Sequence, residues 1–227
     1  MNSKKIVSAV KLELKNINAT YITGGCLAII GLWTLIQCLT GLSSNYYIDT
    51  ANYLYIFAVL TPILIPAYCL KRMLYLNVSK DTFFKGTLFI YIIAAVAFSV
   101  LNLLIYSLTD LIFGYCLSIK NLSVIFSWRG NGVTICLFQQ FAFFILVECF
   151  FHTLTCAHFH RSGIVADILI AAVLAVFIPI ASLRKYLTAF FDLIIFNDNW
   201  AVQLISCLIL SAVFYLMSVI IIKRRKF

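Results

Sequence analysis

The chain is predicted to be an all-α, polytopic membrane protein with six transmembrane helices, and three observations predict it. First, apolar stretches at Tyr21–Leu39, Tyr53–Leu70, Phe84–Leu108, Val133–Thr153, Ile164–Leu183 and Ala201–Ile222 are long enough, at 1.5 Å per residue, to cross a hydrocarbon core of roughly 30 Å. Second, hydrophobic residues make up 63% of the chain and charged residues 11%, against about 25% charged in a soluble domain. Third, the basic residues fall on alternate sides of the stretches. With the amino terminus inside, Lys4, Lys5, Lys11, Lys15, Lys71, Arg72, Lys80, Lys85, Arg161, Lys223, Arg224, Arg225 and Lys226 are cytoplasmic, which is 13 of 17. Lys120, Arg129, Arg184 and Lys185 fall outside. The positive-inside rule then predicts a multi-pass plasma-membrane protein with both termini cytoplasmic. All 227 residues form one membrane domain. The net charge of +9 faces anionic inner-leaflet lipid, and so it reports topology and implies no nucleic-acid partner.

Taken in order, Lys4–Asn18 has Ile6, Val7, Val10, Leu14 and Ile17 at three- and four-residue spacing with lysines between them. This is the pattern of an interfacial amphipathic helix. Its regular charges leave no apolar run for a signal peptide, so none is expected. In the first span, Gly24, Ala28 and Gly31 form a stripe of small residues that permits close helix approach, and Ala171 and Ala175 repeat the device in the fifth. The polar segment 41–52 ends in Tyr46, Tyr47, Tyr53 and Tyr55, which suit an aromatic belt.

Pro62 and Pro66 remove two backbone donors from the second span and predict a kink, either a packing bend or a gating hinge. The inner loop 70–84 contains Asn77 or Ser79 as a cap for a short polar helix, with Val78 and Lys80 beside it, Asp81 in its first turn and Phe83 following. Such a helix is a docking element for a soluble partner. The outer segment 109–132 is too apolar for a solvated linker and should fold back onto the outer face. Arg184–Asn199 carries an apolar stripe, Tyr186, Leu187, Phe190, Phe191, Ile194 and Ile195, too short to span. It reads as a re-entrant or interfacial element, with Phe190 and Phe191 as an outer gate.

In the fourth span Glu148 is an intramembrane carboxylate. Such residues are costly and by default functional, so it is a candidate for the pathway, although pairing with Arg161 or Lys85 is the structural alternative. Glu148, His152 and Cys156 are spaced four apart on one face, but the spacing matches no established zinc pattern, and no metal is expected. Asp167 falls early in the fifth span, where the helix dipole favours an anion. Asn102, Gln139 and Gln140 are expected to hydrogen-bond between helices. The 8 cysteines lie mostly inside spans and read as small buried hydrophobes.

These parts, in this order, resemble the permease subunits of type 2 ABC exporters, a likeness that covers essentially the whole chain. Lys4–Ile17 resembles the family's elbow helix, Leu76–Gly86 (LNVSKDTFFKG) its inner loop, Arg184–Asn199 its re-entrant element, and IIIKRRKF its basic stop. The resemblance implies that Asn77, Val78, Ser79, Lys80, Asp81 and Phe83 couple to a cytosolic ATPase present in two copies. It also implies that the first and fifth spans face a second permease copy, in a homodimer. The substrate would be an amphipathic or hydrophobic molecule, in the small bacterial branches a peptide. The chain lacks a phosphate-cradling glycine loop: Lys85-Gly86-Thr87 has no preceding Gly-x-x-x-x-Gly. No cofactor is therefore expected on this chain, and ATP with Mg belongs to the partner. The rivals are an immunity or sensory protein that acts without ATP hydrolysis, an intramembrane protease, for which the H-E-x-x-H motif is missing, and a secondary transporter. The last calls for broken helices, and only the second span reads as interrupted.

Overall fold

The computed structural model of the chain describes residues 46–113, 118–158 and 162–224. The expected interfacial helix, the first span and its Gly24, Ala28 and Gly31 lie outside the described residues. Those described form a helical membrane protein, in which four helices are long and apolar enough to cross a bilayer, or five if one bent pair is a single span.

A three-residue strand β1 (Tyr46–Ile48) leads through a 3-10 turn into α1 (Tyr53–Leu64). In the span where a kink was expected, Pro62 lies within regular α1, and a π-helical stretch, Ile65–Cys69, follows before α2 (Leu70–Tyr75) resumes the α geometry. Pro66 lies at the start of this stretch. In a regular α-helix its ring would press on the carbonyl four residues back, and a locally widened turn relieves that clash.

The connection to α3 (Lys80–Phe113) is short and contains Asn77 at φ 56°, a left-handed conformation that asparagine tolerates. No separate short helix forms here. Ser79 Oγ instead accepts from Thr82 N at 3.2 Å and caps α3 itself, so that the polar residues expected on a docking helix are the first turn of a long span. At 34 residues α3 is about 51 Å long.

Of the outer segment 109–132, residues 109–113 continue α3, and the described residues 118–132 fold back: β2 (Ser118–Lys120) pairs in parallel with β1, in the register Tyr46–Ser118, Tyr47–Ile119, Ile48–Lys120. A one-turn helix α4 (Leu122–Ile125) and a 3-10 turn then bury Trp128 beneath the rings of Phe126 and Phe143. The turn ends at Gly132, whose φ of 93° would strain any side-chain-bearing residue.

The central element is α5 (Val133–His158). Its most apolar window is 50% buried, against 33%, 33% and 28% in the other three spans, because α1, α3, α6 and α8 all pack on it. Two layers of core surround it. Leu70, Met73, Phe83, Phe84, Tyr91, Phe144, Cys149 and Ile222 pack together in one, and Leu103, Trp128, Cys136, Leu146, Ile194 and Cys207 in the other. We call the end of the bundle where α3 begins and α8 finishes the basic end, and the end that carries the β pair the far end.

The predicted span Ile164–Leu183 is not continuous. Helix α6 (Ser162–Phe177) stops after 16 residues, and α7 (Ala181–Phe191) leaves at 118°. Pro179 in the break lacks an N–H and disfavours helix at Ile178, and Ile180 is extended. Arg184 completes the turn by donating from Nε to Ile178 O at 2.9 Å, which satisfies a terminal carbonyl. At the other end of α6, Gly163 lies so close to α5 that a Cβ there would come within 2.5 Å of His158 Cα. After α7 a second π stretch, Asp192–Phe196, turns Ile194 and Ile195 inward, and α8 (Trp200–Lys223) closes the bundle. Helices α5 and α8 run parallel: Gln139 bonds to Gln203 near their starts, and Thr153 Oγ1 donates to Phe214 O further along. The five cysteines among the described residues are free and buried.

Candidate functional site in the central helix

Four polar residues on α5, Gln139, Gln140, Glu148 and His152, are fully buried, and they divide into two groups. Near the far end the polar groups find partners. Gln139 Nε2 donates to Gln203 Oε1 at 2.5 Å, Asn131 Nδ2 donates to Gln139 Oε1 at 3.3 Å, and Gln203 Nε2 donates to Ile194 O at 3.1 Å. Trp128 Nε1 donates to Ile195 O at 2.8 Å. The second π stretch is thus held to α8 and to the 122–131 turn by side-chain donors. Among the described residues Gln140 is the exception to the interhelical expectation: its Nε2 donates to Cys136 Sγ on the same helix at 3.2 Å, and its Oε1 has no partner.

A further network lies under the β pair. Asp49 is fully buried and accepts from Ala51 N at 3.1 Å, Asn121 Nδ2 at 2.7 Å and Thr109 Oγ1 at 3.4 Å. Asn102 Nδ2 donates to Ala51 O at 3.2 Å, and Asn121 Oδ1 accepts from Ser123 N and Oγ. These bonds tie the start of α1, the end of α3 and the returning segment together. Asp49, Asn121 and Tyr91 were not legible as site residues, although a tyrosine in the middle of an apolar span signals that its hydroxyl has a partner.

The second group surrounds Glu148. This residue has no exposed surface, and among the described residues neither carboxylate oxygen has a hydrogen-bond partner. Of the cations expected to pair with it, Arg161 lies outside the described residues, and Lys85 is exposed on the second turn of α3. Ion pairs among the described residues include His158–Asp167 and Lys223–Asp81, both 2.7 Å. Asp167 is accordingly held by a histidine across the α5–α6 turn.

One turn beyond Glu148, His152 Nδ1 meets the Tyr91 hydroxyl at 2.7 Å and Nε2 lies 3.5 Å from Cys156 Sγ. Its ring stacks on Tyr215 with centroids 5.4 Å apart, and Phe84 meets it edge-on at 5.9 Å. Tyr215 in turn donates to Phe84 O. Glu148, His152 and Cys156 do share a face, but no group of three such side chains among the described residues is placed to hold a metal ion.

This cluster is linked to the basic end by short steps on α3 and α8. Asp81 pairs with Lys223, and Lys80 Nζ donates to Ile222 O at 3.0 Å. Of the residues expected to couple to a partner, Asn77, Ser79 and Asp81 are exposed, Val78 and Lys80 are half-buried and Phe83 is wholly buried, so Phe83 belongs to the core. Tyr75 and Leu76, at 86% and 55% exposure, extend the accessible patch. Ala171 and Ala175 lie exposed on α6, which is open to its surroundings along most of its length. Phe190 and Phe191 are likewise exposed on the outer surface of α7, whereas Ile194 and Ile195 of the same stripe are buried. Pro62 is buried before the first π stretch and Pro66 within it.

No family model, no curated protein and no solved structure matches the chain.

Proposed function

We propose that this chain is the membrane-spanning permease subunit of an ATP-driven exporter in the plasma membrane, with both termini cytoplasmic. It pairs with a second copy of itself and with two copies of a cytosolic ATPase that binds ATP and Mg. The substrate is an amphipathic or hydrophobic molecule, a peptide in the reading that the small size favours. Helix α7 with the second π stretch acts as a re-entrant outer gate, and α6, with Ala171 and Ala175, faces the second copy.

The observation that carries this reading is the fastening of the exposed 75–81 patch to two spans at once. Asp81 pairs with Lys223, and Lys80 donates to Ile222 O, so a load applied by a soluble partner reaches both α3 and α8. The experiment is purification of the tagged full chain from its native membrane, with ATP hydrolysis measured in the eluate with and without amphipathic peptide. Asn77→Cys, on the exposed connection, should cross-link to the hydrolysing subunit, and Asp81→Lys should lower peptide stimulation severalfold without loss of the chain from the membrane. An eluate that lacks ATP hydrolysis overturns the exporter reading in favour of an immunity or sensory protein.

A further inference from the structure

Tyr55 Oη, an Arg129 nitrogen and Gln140 Oε1 are, like Glu148, buried without a hydrogen-bond partner, but Glu148 is the carboxylate among these groups, and both of its oxygens are unpartnered among the described residues. It sits on the helix that the other spans enclose, has no exposed surface, and has no donor for either oxygen among the described residues. Of the titratable groups in this core, Cys149 on α5 and Tyr91 on α3 lie within electrostatic reach of Glu148 and His152 follows one turn on, while Tyr215 on α8, Cys69 in the first π stretch and Tyr55 on α1 pack in the same cluster. On α6 the nearest such group, Asp167, is occupied by His158 at the basic end. Among the described residues, neither Glu148 oxygen meets a hydrogen-bond donor. A bare negative charge without donor or cation is disfavoured in such an interior, whereas a neutral carboxylic acid needs neither.

We propose that Glu148 is a proton-exchange site. It holds one proton while α3 and α8 are packed on α5 as described, and it releases that proton to water when the bundle opens. The aromatic wall of Tyr91, His152 and Tyr215 lines the route by which it would open, because these side chains join α3, α5 and α8 around His152. No bond between heavy atoms changes; the carboxyl O–H bond breaks as its proton passes to a water oxygen, and re-forms when the proton returns. This goes beyond the export reading and holds whether or not an ATPase drives the chain.

The experiment is infrared spectroscopy of the full chain in liposomes at neutral pH. The chain contains two glutamates, Glu13 and Glu148, so carbon-13 glutamate labelling in a Glu13→Gln background isolates the second. A carbonyl stretch of a protonated carboxylic acid is expected, shifted by the label, lost in Glu148→Gln, and moved further after hours in deuterated buffer. Absence of a label-sensitive acid band would show Glu148 ionised and overturn the proposal. So would a band that never responds to deuterium, which would mark a sealed acid that does not exchange. The isotope label reads Glu148 directly, so the test survives even where Glu148→Gln fails to fold.

Discussion

The far end of the bundle and its central region each bury a carboxylate, and they treat it in opposite ways. Asp49 accepts three hydrogen bonds from three parts of the chain, whereas Glu148 accepts none among the described residues. A polar group surrounded by donors fixes geometry, because moving any one donor leaves a buried acceptor unsatisfied. One without partners fixes nothing, and it persists at a cost that a functional role would explain. The contrast separates a carboxylate that ties three segments together from one that ties none among the described residues.

The largest effect should come from Asp49→Asn, which keeps the shape but replaces an acceptor oxygen with an NH2 group facing existing donors. It should lower the unfolding free energy in mixed micelles by about 1.5–3 kcal/mol, the range for bonds to a charged group. Gln203→Leu removes the link between Gln139 and Ile194 O and should cost about 1 kcal/mol, in line with interhelical bonds in membranes. A smaller loss than this would mean that Trp128, with Cys207 Sγ donating to Ile194 O at 3.5 Å, suffices to hold the second π stretch. Glu148→Gln makes the same acid-to-amide change as Asp49→Asn but breaks no bond among the described residues, and it should cost less than Gln203→Leu. A destabilisation equal to that of Asp49→Asn would erase the comparison. Because the two sites share no partners, the double variant should show the sum of the two effects.

Much of the architecture was legible because long apolar runs can be satisfied only by spanning helices. The spans at 53–70, 84–108, 133–153 and 201–222 correspond to helices that extend a few residues beyond each prediction. The break in 164–183 was also written in the sequence, at Pro179, but hydropathy averages over a single proline, and the residues on both sides of it are apolar. The docking helix expected at 77–83 dissolved into α3 because nothing after the Ser79 cap stops the helix before residue 113. Asp49 and Asn121 could not be foreseen as partners. They sit in connections without periodicity and meet only through the parallel strand pairing. Glu148 was visible as an isolated acid in an apolar span, but that it meets no donor depends on packing by helices far apart in sequence.

That strand pairing also bears on how the protein is made. Parallel strands cannot be joined by a hairpin and need a crossover, and here the crossover consists of α1, the first π stretch, α2 and the whole of α3. During synthesis Tyr46–Ile48 must therefore wait, with Asp49 still lacking its Asn121 donor, until both helices have been threaded through the bilayer and residues 118–121 emerge on the same side. A chain whose α1–α3 hairpin inserts incompletely leaves the two halves of this clasp on opposite sides of the membrane and cannot close it. The small β pair thus closes only after α1 and α3 are both in place.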